Sequence, residues 1–476
     1  VKPRFVAAYA GMVLGGIALF LLIRGYGERL VAPGSGPAAP GGPSLASAPD
    51  IVLHVLLAMA AVILVGRLLG RLFRVVRQPP VVGEVLAGIA LGPSLLGWIA
   101  PGAAAFVMPG LVAPALSIIA QLGVVLYMFL VGVELNLDRL RDRAHATVAT
   151  SHASIVAPFV LGSVLALYLY PRLSSGPVSF TTFALFMGVA MSITAFPVLA
   201  RILTDRGAAG TELGVIALTC AAVDDVTAWC LLAFVVGVAR AQVQGAVLVG
   251  MLTLGFIGVM FLAVRPVVAG MASRADQRPP GRDALALVLV GLLLSALATE
   301  AIGIHAIFGA FLFGAVIPHD SRLARALTER MEDLVTIAFL PAFFAFTGLR
   351  TQIGLLAGAF QWWVCGVIIL VATVGKFGGT FLAARLTGVD TRRAAGLGAL
   401  MNTRGLIELV VLNIGLDLGV ISPTLFTMMV LMALVTTMAT TPLLDLVMPG
   451  LAERAPADSP PPPGMAWHPG ASIRRI

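Results

Sequence analysis

The chain has 476 residues, 59% of them hydrophobic and only 11% charged, and its mean hydropathy is +1.00. Soluble domains carry about 25% charged residues, so this composition excludes a soluble enzyme, a disordered chain and a nucleic-acid binder. The formal net charge of +8 comes from basic residues spread along the chain, not gathered in a patch, as expected of the loops of a polytopic membrane protein.

A membrane helix needs roughly 20 mostly apolar residues. Fourteen runs fit that description, near 5–23, 51–70, 80–99, 115–134, 147–170, 181–203, 212–238, 245–265, 284–299, 302–318, 334–349, 360–385, 394–416 and 424–448. The first run follows Lys2 and Arg4 and is long for the core of a signal peptide, so it reads as an uncleaved anchor. A Pro/Gly/Ser-rich linker over 33–44 separates it from the rest. Residues 1–50 are therefore expected to be an anchor and linker, 51–450 the main membrane domain, and 451–476 a disordered cytoplasmic tail with no regulatory domain behind it.

The arginines give an independent reading of topology. With the N-terminus inside, Arg67, Arg71, Arg74 and Arg77 fall at a cytoplasmic end, then Arg139, Arg141 and Arg143, and the later clusters follow suit. Only Arg24, Arg29, Arg172, Arg240 and Arg350 fall outside. This alternation predicts that both termini are cytoplasmic, in a multi-pass protein of the cytoplasmic (inner) membrane.

Charges within spans cost roughly 2.5–3.5 kcal/mol even on lenient insertion scales, so each needs a reason. In chain order, Ser192-Ile-Thr-Ala-Phe-Pro197 comes first, with Pro197 lacking an amide proton and disfavouring helix at Phe196. Next is Val223-Asp-Asp-Val-Thr-Ala-Trp229, where Asp224 and Asp225 lie mid-span. Adjacent helical positions point about 100° apart, so the two carboxylates address different neighbours, and their proximity couples their titrations. Lys376 is the only lysine besides Lys2. An ammonium can lose its proton where a guanidinium cannot, which suits it to proton exchange and to pairing with one of the aspartates. Finally, Asn402-Thr-Arg-Gly405 places Asn402, Thr403 and Gly405 in a second interrupted span, while Arg404 and Glu408 are spaced to pair on one helix face. His305 stands alone in an apolar run and reads as packing. The cysteines Cys220, Cys230 and Cys365 read likewise.

A shift of 209 residues places Thr194 on Thr403, the Asp224 span on the span around Ala433, and the span at 147–170 on the Lys376 span. Three spans thus recur in order, each set with its interrupted helix in the middle. An odd number of spans repeated once inverts the second copy, and such architectures place their transport site where the broken helices meet.

These residues resemble the monovalent cation:proton antiporter-2 family, in the type of transmembrane domain found in Kef and plant cation exchangers. The similarity begins at Gln78-Pro-Pro-Val-Val-Gly-Glu-Val-Leu-Ala-Gly-Ile-Ala-Leu-Gly-Pro93. It continues through the Ser192–Arg201 segment, the aspartate pair and Lys376, and ends at Met401-Asn-Thr-Arg-Gly-Leu-Ile-Glu-Leu409. The resemblance implies an all-α sodium/proton-antiporter fold: two inverted repeats with discontinuous helices, a thirteen-helix core plus one extra N-terminal span, and a homodimer. It also implies that Asp225 holds Na+ or K+, that Asp224 pairs with Lys376, and that Ser192 and Thr194 assist the cation. Members with an aspartate pair tend to be electrogenic, and a chain without a nucleotide-binding extension is not expected to be a ligand-gated potassium efflux system. No cofactor is expected. Two other readings are an organic-anion or cation symporter of the same fold, which the lysine and aspartate pair argue against, and a transport-dead membrane sensor, which the intact site residues argue against.

Overall fold

The computed structural model describes residues 3–28, 30, 48–76, 78–110, 112–134, 144–176, 178–240, 243–277 and 279–449. The linker over 33–44 and the tail over 451–476 lie outside the described residues. Among those described, structure is almost wholly helical, and the one isolated β-bridge joins Ser174 to Ile421.

The helices run α1 (Pro3–Gly27), α2 (Ala48–Val75), α3 (Pro80–Leu91), α4 (Val112–Glu134) and α5 (Ala144–Leu173). A broken pair follows, α6 (Phe180–Ser192) and α7 (Phe196–Asp205), then α8 (Glu212–Arg240). Next come α9 (Val243–Val259), α10 (Arg265–Gln277), α11 (Arg282–Ile302), α12 (Ala306–Ala315), α13 (Arg322–Leu334) and α14 (Leu340–Arg350). The last set is α15 (Ala359–Thr373), α16 (Gly379–Leu386), a second broken pair α17 (Thr391–Met401) and α18 (Leu406–Asp417), and α19 (Pro423–Val447). Single π-helical turns join α9 to α10, α13 to α14 and α15 to α16.

Eleven of these elements are long and apolar enough to cross a bilayer, and the pair Thr391–Met401 and Leu406–Asp417, bent by 44°, makes a twelfth. The other two expected spans are shorter, an apolar stretch of α1 over Gly11–Gly27 and the helix Ala306–Ala315. The run expected at 302–318 is cut at its start because Gly303 takes a left-handed φ of 101° and ends α11. His305 then caps α12, its ring nitrogen accepting from the Ile307 amide, so this histidine is a helix cap as well as a packed side chain. The run expected at 334–349 begins much earlier. Ser321 caps a helix that opens at Arg322, and Leu323, Ala324 and Leu327 bury one face of it. Arg322, Arg325 and Arg330 therefore ride on a helix continuous with the span, not on a loop.

Two three-helix sets have the same make-up: α5, broken α6–α7 and α8, then α15–α16, broken α17–α18 and α19. Other helices pack on one another: α4 lies against α12 and α14, and α3 against α2 and α14. The α4–α12 contact depends on glycine. A Cβ on Gly132 would meet the Phe311 carbonyl at 2.2 Å, and one on Gly314 the Phe129 carbonyl at 2.2 Å, so the two backbones touch. Outward-facing Leu254, Leu262 and Val267 are exposed, as lipid-facing side chains are. The first helix lies along α5 and α6, with the Phe20 and Phe159 rings 5.8 Å apart and the Thr181 hydroxyl donating to Glu28 at 2.8 Å.

Candidate functional site

The two broken helices cross. Ile193, Thr194 and Ala195 are extended between α6 and α7, and the Ala195 amide donates to the Thr403 carbonyl at 3.0 Å. The Thr194 hydroxyl reaches the Met401 carbonyl at 3.0 Å. Phe196 opens α7, with Pro197 in its first turn, where a missing amide proton costs nothing. Gly405 opens onto α18 in extended backbone, and a Cβ there would meet Val198 Cγ2 at 2.6 Å and Ala195 Cβ at 3.0 Å. Glycine is required at that point by proximity, not by conformation.

Helix ends left at membrane depth must have their orphan carbonyls satisfied inside the protein. Arg404 does this for α6, donating to the Ala190 carbonyl at 2.9 Å and the Met191 carbonyl at 2.8 Å. It also pairs with Glu408 at 3.3 Å, and both side chains are completely buried. Lys376 takes the last carbonyl of the same helix, Ser192, at 2.5 Å. Two cations thus sit at the negative end of the α6 dipole, where they stabilise most.

Lys376 lies in the π-helical turn Val374–Gly378, a local rearrangement frequent at functional sites. Its Nζ donates to Asp224 Oδ2 at 2.8 Å and to the Ser154 carbonyl at 3.1 Å. Asp224 is fully engaged: Ser151 Oγ donates to one oxygen at 2.5 Å, and Ser154 Oγ and Thr194 Oγ1 to the other at 2.9 Å each. Both members of the pair are 0% exposed.

Asp225 is different. It is buried too, yet neither carboxylate oxygen has a hydrogen-bond partner among the described residues. The backbone amide of Phe196, first of α7, is directed toward its carboxylate, so the acid lies toward the positive end of a half-helix. One carboxylate of the adjacent pair is thus held by four side-chain donors, while the other has no side-chain donor among the described residues.

The hydroxyls named in the sequence do not point at Asp225. Thr194 serves Asp224, and Ser192 Oγ donates to the Gly188 carbonyl at 2.6 Å and the Ile155 carbonyl at 3.0 Å. Thr403 Oγ1 donates to the Leu400 carbonyl at 2.7 Å, and the buried side-chain amide of Asn402 has no hydrogen-bond partner among the described residues. Ser151 and Ser154 were not singled out in the sequence. Their signal was present, two serines three apart and so on one face of an apolar helix, but serine is common in membrane helices. On the other side of the crossing, Arg350 of α14 donates to Asn413 at 3.0 Å and Asp417 at 2.5 Å, tying an intervening helix to α18.

Crossed half-helices with a buried lysine–aspartate pair and a second, uncommitted aspartate define a secondary transporter for a small cation. Comparison with known proteins agrees. Residues 59–446 match the family described as sodium/hydrogen exchanger, transmembrane, and the chain belongs to that family of cation/proton antiporters. It is 43% identical over 412 residues to the Na+/H+ antiporter NhaS4 of Synechocystis sp., covering 85% of this chain and 99% of that one. It is 40% identical over 402 residues to cation/H+ antiporter 20 of Arabidopsis thaliana and 34% over 398 residues to K+/H+ antiporter 1 of Saccharomyces cerevisiae, covering 80% and 82% of this chain. It spans only about half the length of those two, 47% and 46%. The solved structure of the sodium/proton antiporter MjNhaP1 from Methanocaldococcus jannaschii superposes with a TM-score of 0.62 at 14% identity, covering 85% of this chain and 99% of that one, and so shares its fold.

Proposed function

We propose that the protein exchanges a monovalent cation, Na+ or K+, for protons across the cytoplasmic membrane, contributing to pH homeostasis as a homodimer with both termini in the cytoplasm. The observation that carries this reading is the contrast between the two aspartates. Asp225 is buried with no side-chain donor among the described residues and is the cation ligand; Asp224 is held by Lys376 and three hydroxyls and sets the charge of the site. Protons and the cation compete for Asp225, so the three-helix sets cross loaded with one or the other. The names of the Synechocystis and yeast relatives support sodium and potassium respectively.

Exchange of two protons for one cation moves one net charge per cycle, and the membrane potential then supplies about 2.3 kcal/mol per 100 mV. Release of a proton from the Lys376–Asp224 pair would account for the second proton, because a buried ammonium can deprotonate.

The test is pH-gradient dissipation in proteoliposomes, with Na+, K+ or choline added in turn. Wild-type protein is expected to dissipate the gradient with Na+ or K+ and not with choline. Asp225→Asn is expected to lose this flux while inserting normally. Wild-type rates in folded Asp225→Asn protein would exclude Asp225 as the ligand.

A further inference from the structure

Trp229 lies one turn beyond Asp225 on α8. Residues four apart share a helix face, and helical side chains lean back over the preceding turn, so the indole covers the turn that carries the carboxylate. Trp229 is 2% exposed, and its ring N–H has no hydrogen-bond partner among the described residues. Buried indoles nearly always find an acceptor. Here the unused donor and an unused carboxylate occur one turn apart on one face.

The far side of the indole is held by a helix outside the repeats. The Trp229 ring stacks on Phe311 of α12, with centroids 6.5 Å apart and planes inclined by 25°. Phe311 lies in the segment whose backbone touches Gly132 of α4. The indole therefore bridges the site on α8 and the helices beside which the repeats pack.

We propose that Trp229 is a positioning residue for cation exchange: its ring N–H donates to one oxygen of Asp225 and orients the carboxylate so that the other oxygen faces the cation. This rests on Asp225 being the cation ligand and adds a residue that acts through it. A rotation of the indole against Phe311 brings the N–H onto the carboxylate, so the hydrogen bond forms and breaks as the repeats shift relative to α12. A hydrogen bond to a charged group of this kind is worth about tenfold in affinity.

The experiment compares wild type, Trp229→Phe and Trp229→His in proteoliposomes at one fixed alkaline pH, with Na+ or K+ varied. Trp229→Phe keeps a ring against Phe311 and removes only the donor, so the apparent KM for the cation is expected to rise about tenfold, with the maximal rate within about twofold. Trp229→His, which restores a ring N–H, is expected to recover most of the KM. An unchanged KM in Trp229→Phe overturns the proposal, and so does a lower maximal rate at unchanged KM, which is the signature of packing alone. A second measurement does not depend on these variants. With Trp98, Trp362, Trp363 and Trp467 replaced by Phe, Trp229 emission is titrated with NaCl, KCl or choline chloride. A change with Na+ or K+ that disappears in Asp225→Asn supports the proposal, and emission that ignores all three salts overturns it. Absence of cation-dependent flux in wild type would instead overturn the exchanger reading, with the emission arm still deciding the role of Trp229.

Discussion

Removing the Lys376 ammonium is the perturbation with the most direct structural consequence. Lys376→Met keeps the aliphatic bulk and deletes donors to Asp224 Oδ2 at 2.8 Å, the Ser154 carbonyl at 3.1 Å and the Ser192 carbonyl at 2.5 Å. Asp224 is left 0% exposed with only the neutral hydroxyls of Ser151, Ser154 and Thr194. Breaking one side of a buried pair costs about 3–5 kcal/mol, chiefly because it strands the other charge, whereas replacing both partners by neutral groups is often close to neutral. The double variant Lys376→Met/Asp224→Asn is therefore expected to lie within about 1–2 kcal/mol of wild type, although each variant should be inactive or electrically altered in transport. The assay is a double-mutant cycle on detergent-solubilised protein, unfolded by SDS titration and followed by circular dichroism. If the double variant is no more stable than Lys376→Met alone, the two charges are not coupled as their geometry requires, and the account of the site as one held and one free carboxylate is wrong.

Asp224→Asn alone is expected to retain partial cation-dependent flux but lose its response to an imposed membrane potential, measured in potassium–valinomycin-clamped liposomes; an unaltered voltage response counts against the charge accounting. Gly405→Val should push the broken helices apart, since even a Cβ would meet Val198 Cγ2 at 2.6 Å. Its cost is expected at about 1–3 kcal/mol, read by the same SDS titration, with flux per folded protein falling at least tenfold. Deletion of residues 1–46 removes the Phe20–Phe159 contact and the Glu28–Thr181 hydrogen bond, so folded yield is expected to fall. Flux normalised to folded protein should persist, because the Asp224–Lys376 network and both breaks lie in later helices; correctly inserted but silent truncated protein would make α1 part of the transport machinery.

Much of this architecture was legible because lipid makes polar groups conspicuous. Asp224, Asp225, Lys376, Arg404 and Glu408 stood out as charges in apolar runs, and all are buried around the crossing, Arg404 in the break between α17 and α18 and the others within helical elements. Pro197 and Gly405 marked the breaks, because one lacks an amide proton and the other leaves room for the Val198 and Ala195 side chains. The donors to Asp224 were not legible. Ser151 and Ser154 come from a span about 70 residues earlier, and nothing local distinguishes them from serines bonded to their own helix, as Ser163 is to the Phe159 carbonyl. Helix ends were also hidden. Gly303 and His305 cut an apolar run that hydropathy alone extends, and Ser321 starts a helix within a stretch whose arginines read as loop. Capping is decided by single residues, while hydropathy averages over about 19.

The second acid of the pair has an electrostatic reason beside Lys376 and Arg404. A lone carboxylate in this crossing would feel Arg404 and Lys376, both turned toward the end of α6. Arg404 is partly offset by Glu408 at 3.3 Å, but without Asp224 the ammonium would have only backbone carbonyls and hydroxyls as partners. An uncompensated ammonium beside the site would repel the incoming cation. Asp224 offsets that charge and is kept on Lys376 by three hydroxyls, so under the proposed function Asp225 would meet the cation without that charge opposing it. If Asp225 is the cation ligand, as proposed, Asp224 strengthens its attraction for the cation, and Ser151 and Ser154 of α5 support it by holding Asp224 on Lys376.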